Sequence, residues 1–110
     1  MVGDLTVEGA RLAQEQLDVS RAFAAGNLSA SHFVELFLRT WNAEVDAGSC
    51  NEIPFLDVLD DIWFAIDVHN EYDDLRKPEE FDDAQLREVV TRYLVDWDAG
   101  TWQFDPRWAR

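Results

Sequence analysis

The most regular pattern in the chain lies between Pro54 and Trp97. Phe55, Leu59, Ile62 and Ile66 recur at steps of three and four, with Leu56 and Trp63 beside them, which predicts a helix with one apolar stripe. Asp57, Asp60, Phe64, Asp67 and Glu71 follow the same period on the opposite side, so this helix carries a row of carboxylates with an aromatic ring in its middle. Further on, Phe81-Asp82-Asp83-Ala84-Gln85-Leu86 reads as a helix start. Asp82 fits the N-cap, Gln85 the third position of a capping box, and Phe81 with Leu86 the apolar pair that flanks it. Leu86, Val89, Val90, Tyr93, Leu94 and Trp97 then form the inward stripe, and Gly100 ends it.

Two more helices precede these. From Leu12 the pattern is helical, with Leu12, Val19 and Phe23 on one side and Ala22 near them, until Gly26-Asn27. Residues 1–11 are weakly patterned and either lead into this helix or form its opening turn. Ser29 or Ser31 can cap the next one, which carries Phe33, Leu36, Phe37, Thr40, Trp41, Glu44 and Val45. It stops near Asp46-Ala47-Gly48-Ser49, and Pro54 suits the first turn of helix three. Helix three should fade by Asn70 or Glu71, and Lys77-Pro78 breaks any continuation.

No stretch alternates with a period of two. The expected fold is therefore all-α: one domain over residues 1–110, an antiparallel four-helix bundle with an acidic loop of about residues 71–81 between helices three and four. Loops of that length in small domains often serve function. The tail from residue 96, with Trp102, Phe104, Pro106 and Trp108 among its last residues, is apolar enough to be expected docked rather than free.

Charge sharpens this picture. The formal net charge is -14 on 110 residues, a surface that repels phosphate backbones and attracts basic proteins. Five Trp and seven Phe separate the chain from disordered acidic tails. Cys50 is alone, so no internal disulfide forms. The N-terminus has neither a basic start nor an apolar run, and no stretch approaches membrane-spanning length. A cytoplasmic monomer is the expected state.

Catalytic chemistry finds no constellation. Glycine-rich phosphate loops and Gly-x-Ser-x-Gly turns are absent. His32 and His69 have no partner at metal-ligand spacing, and His69 reads as a residue at the end of helix three. Adjacent acids such as Asp60-Asp61 and Asp73-Asp74 point in different directions on a helix, which makes poor acid/base pairs. The loop lacks the ligand ladder of a calcium-binding hand. The expectation is a protein that is no enzyme, with no cofactor and no metal site.

What is left is the acidic face. Between Asp57 and Asp83 the only cations are Arg76 and Lys77, so the acids are not interleaved for internal pairing. Phe64 within the row resembles an apolar anchor with a polar rim, or else packs on helix one or the tail.

The order of these motifs resembles the colicin D-type immunity proteins. Residues Asp18 to Glu44 carry a first helix that ends in a small-residue turn, followed by the start Leu28-Ser29-Ala30-Ser31-His32-Phe33 of helix two. Leu59-Asp60-Asp61-Ile62-Trp63-Phe64-Ala65 is similar to that family's helix-three run, and Phe81 to Val90 to the start of its last helix. The likeness spans about residues 12–95, leaving the leader and the Trp-rich tail unmatched. It implies an immunity protein that binds the nuclease domain of a bacteriocin or contact-dependent inhibition toxin, a basic partner such as a tRNA-cleaving ribonuclease. Asp60 and Asp61 match the family's acidic pair, which would stand in for RNA phosphates; Asp73 and Asp74 match its loop. The expected toxin-binding residues are Asp60, Asp61, Phe64, Asp67, Glu71, Asp73 and Asp74. An acidic adaptor that sequesters an unrelated basic nucleic-acid-binding protein is the alternative.

Overall fold

A computed structural model describes residues 2–46, 56–70, 72 and 74–106. Over these the chain is helical: α1 Val2–Ala24, α2 Ala30–Asp46, α3 Leu56–Asp67 and α4 Asp83–Ala99, with no strand among the described residues. The weakly patterned leader is helix, since α1 begins at Val2. Pro54, Phe55, Cys50 and the turn expected at residues 47–49 lie outside the described residues.

Each helix end has a local cause. Two bonds close α1, from Asn27 N to Ala22 O at 2.9 Å and from Gly26 N to Phe23 O at 3.0 Å, and they require the left-handed backbone of Gly26 at φ 87°. Of the two serines that could cap α2, Ser29 does so, accepting from His32 N at 3.2 Å. At the start of α4 both halves of the capping box form: Gln85 N donates to Asp82 Oδ1 at 2.7 Å and Asp82 N to Gln85 Oε1 at 2.9 Å. Gly100 repeats at the end of α4 the closure seen at Gly26.

The core takes Leu12, Ala13, Leu17 and Phe23 from α1, Phe33 and Phe37 from α2, Val58, Leu59, Ile62, Ala65 and Ile66 from α3, and Leu86, Val89, Val90, Tyr93 and Leu94 from α4. α1 packs against all three other helices and α3 against α4, while the backbones of α2 and α3 barely approach each other. Two arginines tie α1 to α4. Arg21 holds Asp98 through two bonds of 2.7 Å. Arg87 donates to Phe23 O at 3.0 Å and Leu28 O at 2.8 Å, with its guanidinium 4.6 Å above the Phe23 ring, so it caps the end of α1 from the side.

α3 ends at Asp67, a few residues before the expected fade at Asn70. The cause is pairing across the base of the following loop, where Phe81 N donates to Val68 O at 2.8 Å and Asn70 N to Phe81 O at 2.9 Å. Val68 and Asn70 thus spend their backbone groups on Phe81 instead of another helical turn. Within the loop Arg76 Nε donates to Asn70 O, and Glu80 Oε1 accepts from Lys77 N and Asn70 Nδ2. Those bonds to Glu80 hold its carboxyl below the usual range. The His69 ring sits 2.7 Å from Asp83 Oδ1 in the first turn of α4, a tie between helices beyond the end-of-helix role expected from sequence.

Candidate functional site

The outer face of α3 places Asp60, Phe64 and Asp67 in one row, as a helical step of three and four must. Because α2 stands off from α3, a furrow runs between them. Its upper part is an open cleft of about 310 Å³ lined by Trp41, Asp60, Trp63 and Phe64. Below it a second cleft of about 290 Å³ is lined by Val34, Leu38, Trp63, Ile66, Asp67 and His69, and a third of about 230 Å³ reaches Tyr72 at the loop. Asp60 and Asp67 therefore flank aromatic and aliphatic walls rather than a purely polar face.

Those walls are stiffened by a run of rings. Phe23 stacks on Phe33 at 4.2 Å, and contacts continue through Phe37, Trp41, Trp63 and Phe64 to Phe104. The run starts in the core and ends at the surface. Phe64 meets the tail, edge-on to Phe104 at 6.2 Å, and at the same time lines the cleft.

The acidic pair divides. Asp60 is half-buried at the cleft, but Asp61 is wholly buried on the far side of α3. Asp61 Oδ2 accepts from Trp102 Nε1 and from the backbone N of Asp105, both at 3.1 Å, and Oδ1 has no partner among the described residues. Burial pushes this carboxyl up to about 6; the bonds from Asp105 and Trp102 pull it down, and the charges of Asp105 and Asp60 push it up again. In this arrangement the Asp61 side chain, expected among the toxin-binding residues, faces inward and holds the tail. The physical reason is the angle of roughly 100° between successive side chains on a helix, which puts Asp61 on the buried line of Val58, Ile62 and Ala65 while Asp60 turns toward the cleft. Asp105, itself buried, accepts from Tyr93 Oη at 2.5 Å and lies 3.5 Å from Arg92 Nη2.

Of the remaining expected residues, Asp67 is exposed on α3 and Asp74 is exposed in the loop. Glu71 and Asp73 lie outside the described residues. The furrow is also lined by Val34, Leu38 and Trp41 of α2, which the sequence pattern does not mark as site residues, and Phe104 of the tail touches it only through Phe64. Among the described residues no three His, Cys, Asp or Glu side chains are grouped to hold a metal ion, and no helix is long and apolar enough to cross a membrane.

No curated protein and no solved structure matches the chain. Residues 13–96, from within α1 to the last turn of α4, match the family described as bacterial self-protective colicin-like immunity. That stretch holds the helix-three row and leaves out the tail. A match over so much of the sequence shows that the chain belongs to the bacterial self-protective colicin-like immunity family.

Proposed function

We propose that this protein neutralises a cognate nuclease toxin by stoichiometric occupation of its active site, and that the α2–α3 furrow with its acidic rim is the face it presents. The observation that carries the reading is the placement of Asp60 and Asp67 beside Trp41, Trp63 and Phe64 on one cleft-lined face. A nuclease must offer cations to its substrate phosphates, and carboxylates on a rigid helix can occupy the same cations. The aromatic walls supply apolar contact area that charge alone lacks. Asp74, exposed in the loop, adds charge beside this face, and Glu71 and Asp73 of the same loop are assigned to it from the sequence alone. The resemblance to colicin D-type immunity proteins supports a ribonuclease of the tRNA-cleaving class as the target. Asp61 serves this face from behind, by holding the tail.

The test is binding kinetics with the purified toxic domain of a toxin gene sought beside this one. Asp60→Asn and Asp67→Asn should each speed dissociation or slow association, whereas Glu15→Gln on α1 should not. Equal weakening by all three would reduce the effect to net charge and refute the face. Protection that persists with toxin in large molar excess would refute stoichiometric occupation.

A further inference from the structure

The segment Thr101 to Pro106 falls outside residues 13–96, the part of the chain that matches the family. It is nevertheless pinned at two places. Trp102 donates its indole N–H to Asp61 and packs edge-on against Trp97 at 5.6 Å. Asp105 donates its backbone N–H to the same Asp61 oxygen and accepts from Tyr93 Oη. Between the two pins stands Phe104. Its side chain is not used to fill the core: the residue is 44% exposed and leans edge-on against Phe64, which itself lines the Asp60 cleft.

The cost of the pins is informative. Two buried carboxylates, Asp61 and Asp105, are set near each other to fix this short stretch, and one Asp61 oxygen has no hydrogen-bond donor among the described residues. Apolar side chains would cover the same core without that desolvation. Buried polar groups of this kind select one geometry over its neighbours, which matters where an outer surface has to be placed accurately.

We propose that residues 101–106 form a specificity-determining wall of the toxin-binding surface, in which Phe104 extends the Trp41–Trp63–Phe64 ring row and Asp61 is the positioning residue that buckles the wall across α3. The proposal rests on the function given above. The surface fits an apolar toxin side chain flanked by Lys or Arg: the apolar group packs against Phe64 and Phe104, and the cation meets the Asp60 rim of a chain whose net charge is -14. Because the wall lies beyond the family-matched stretch, it is a place where this chain can discriminate among toxins that related immunity proteins would also encounter.

The experiment uses the full chain and that same toxic domain, with two readouts. Solvent exchange of the Trp102 indole proton, followed by NMR, reports the buckle in the free protein. Association and dissociation rates report the complex. Phe104→Ala should leave the Trp102 proton protected and weaken binding tenfold or more, chiefly through faster dissociation. Asp61→Ala should expose that proton and weaken binding to the same extent, and the double variant should be no worse than either single one. Asp61→Asn keeps an oxygen for both donors and should restore protection and affinity together. Binding by Phe104→Ala within twofold of wild type overturns the wall while leaving the function intact. Exposure of the indole in Asp61→Ala with unchanged affinity overturns the positioning role. Should Asp61→Ala fail to fold, Phe104→Ala and Asp61→Asn decide the matter. Failure of the wild-type chain to bind the toxic domain removes the underlying function and the wall with it.

Discussion

The indole N–H of Trp102 reaches the carboxylate of Asp61 at 3.1 Å across 41 positions of sequence, and this bond makes tail docking sensitive to one proton. Asp61 titrates at about 6 in the folded chain, against roughly 3.9 for an unburied aspartate. The folded state thus holds the proton more tightly than the unfolded state does. The resulting stabilisation is complete below about pH 4 and is lost as pH rises through about 6. A gap of about two units corresponds to about 1–3 kcal/mol. The melting temperature of the wild-type chain should fall between pH 5 and pH 7 by more than that of Asp61→Asn, in which this group cannot titrate. Parallel slopes for the two proteins would show that Asp61 is not the titrating group. Asp105 and Asp60 are the charges that push it up, so Asp60→Asn should lower the midpoint.

Arg87 joins elements far apart in sequence through three contacts: the carbonyls of Phe23 and Leu28 and the Phe23 ring. Arg87→Ala should therefore cost about 2–4 kcal/mol, from two charge-assisted bonds and one cation–ring contact. Arg87→Lys should recover less than half, because an ammonium cannot span both carbonyls with a planar fork. Denaturant melts of the two variants measure this, and a loss below about 1 kcal/mol for Arg87→Ala would mean the Phe23 and Leu28 carbonyls are satisfied by water at no net cost.

Asp82 and Gln85 form a reciprocal cap, so Asp82→Ala should destabilise by about 1 kcal/mol. Its effect on toxin binding should be no larger than its effect on stability. A much greater loss of binding would move Asp82 into the contact surface.

Gln16 lies fully buried on α1, and neither its Nε2 nor its Oε1 has a partner among the described residues. Gln16→Met keeps the side-chain length and removes both unmatched groups. It should raise stability by about 1–2 kcal/mol, read as a shift of the urea midpoint at constant slope. A destabilised variant would mean that the amide is satisfied in solution.

Much of this architecture is legible in the sequence. The five buried residues of α4 are Leu86, Val89, Val90, Tyr93 and Leu94, all members of its periodic stripe, and its cap follows from the spacing of Asp82 and Gln85. α1 was harder to read because its inward face includes Gln16 and Ser20, two polar residues that break the apolar period. Asp60 and Asp61 look alike as letters, yet Asp61 shares the buried line of Val58, Ile62 and Ala65, so a stripe drawn through 58, 61 and 65 would have marked it as internal. The furrow was hidden for a different reason. It arises from the separation of α2 and α3, which no local spacing encodes, and the contact of Phe104 with Phe64 beside it depends on bonds between residues 102 and 105 and an acid on another helix.

The pairing of Phe81 with Val68 and Asn70 closes the acidic loop at its neck. What lies beyond a closed neck is mechanically insulated from the helices that carry it. Length and charge between the two sides of that neck can change by insertion, deletion or recombination while α3 and α4 keep their packing, since lengthening an already closed loop costs little conformational entropy. On the proposed function, a lineage confronted with altered toxins has a replaceable cassette there, and can diversify by exchange rather than by refining its core one substitution at a time.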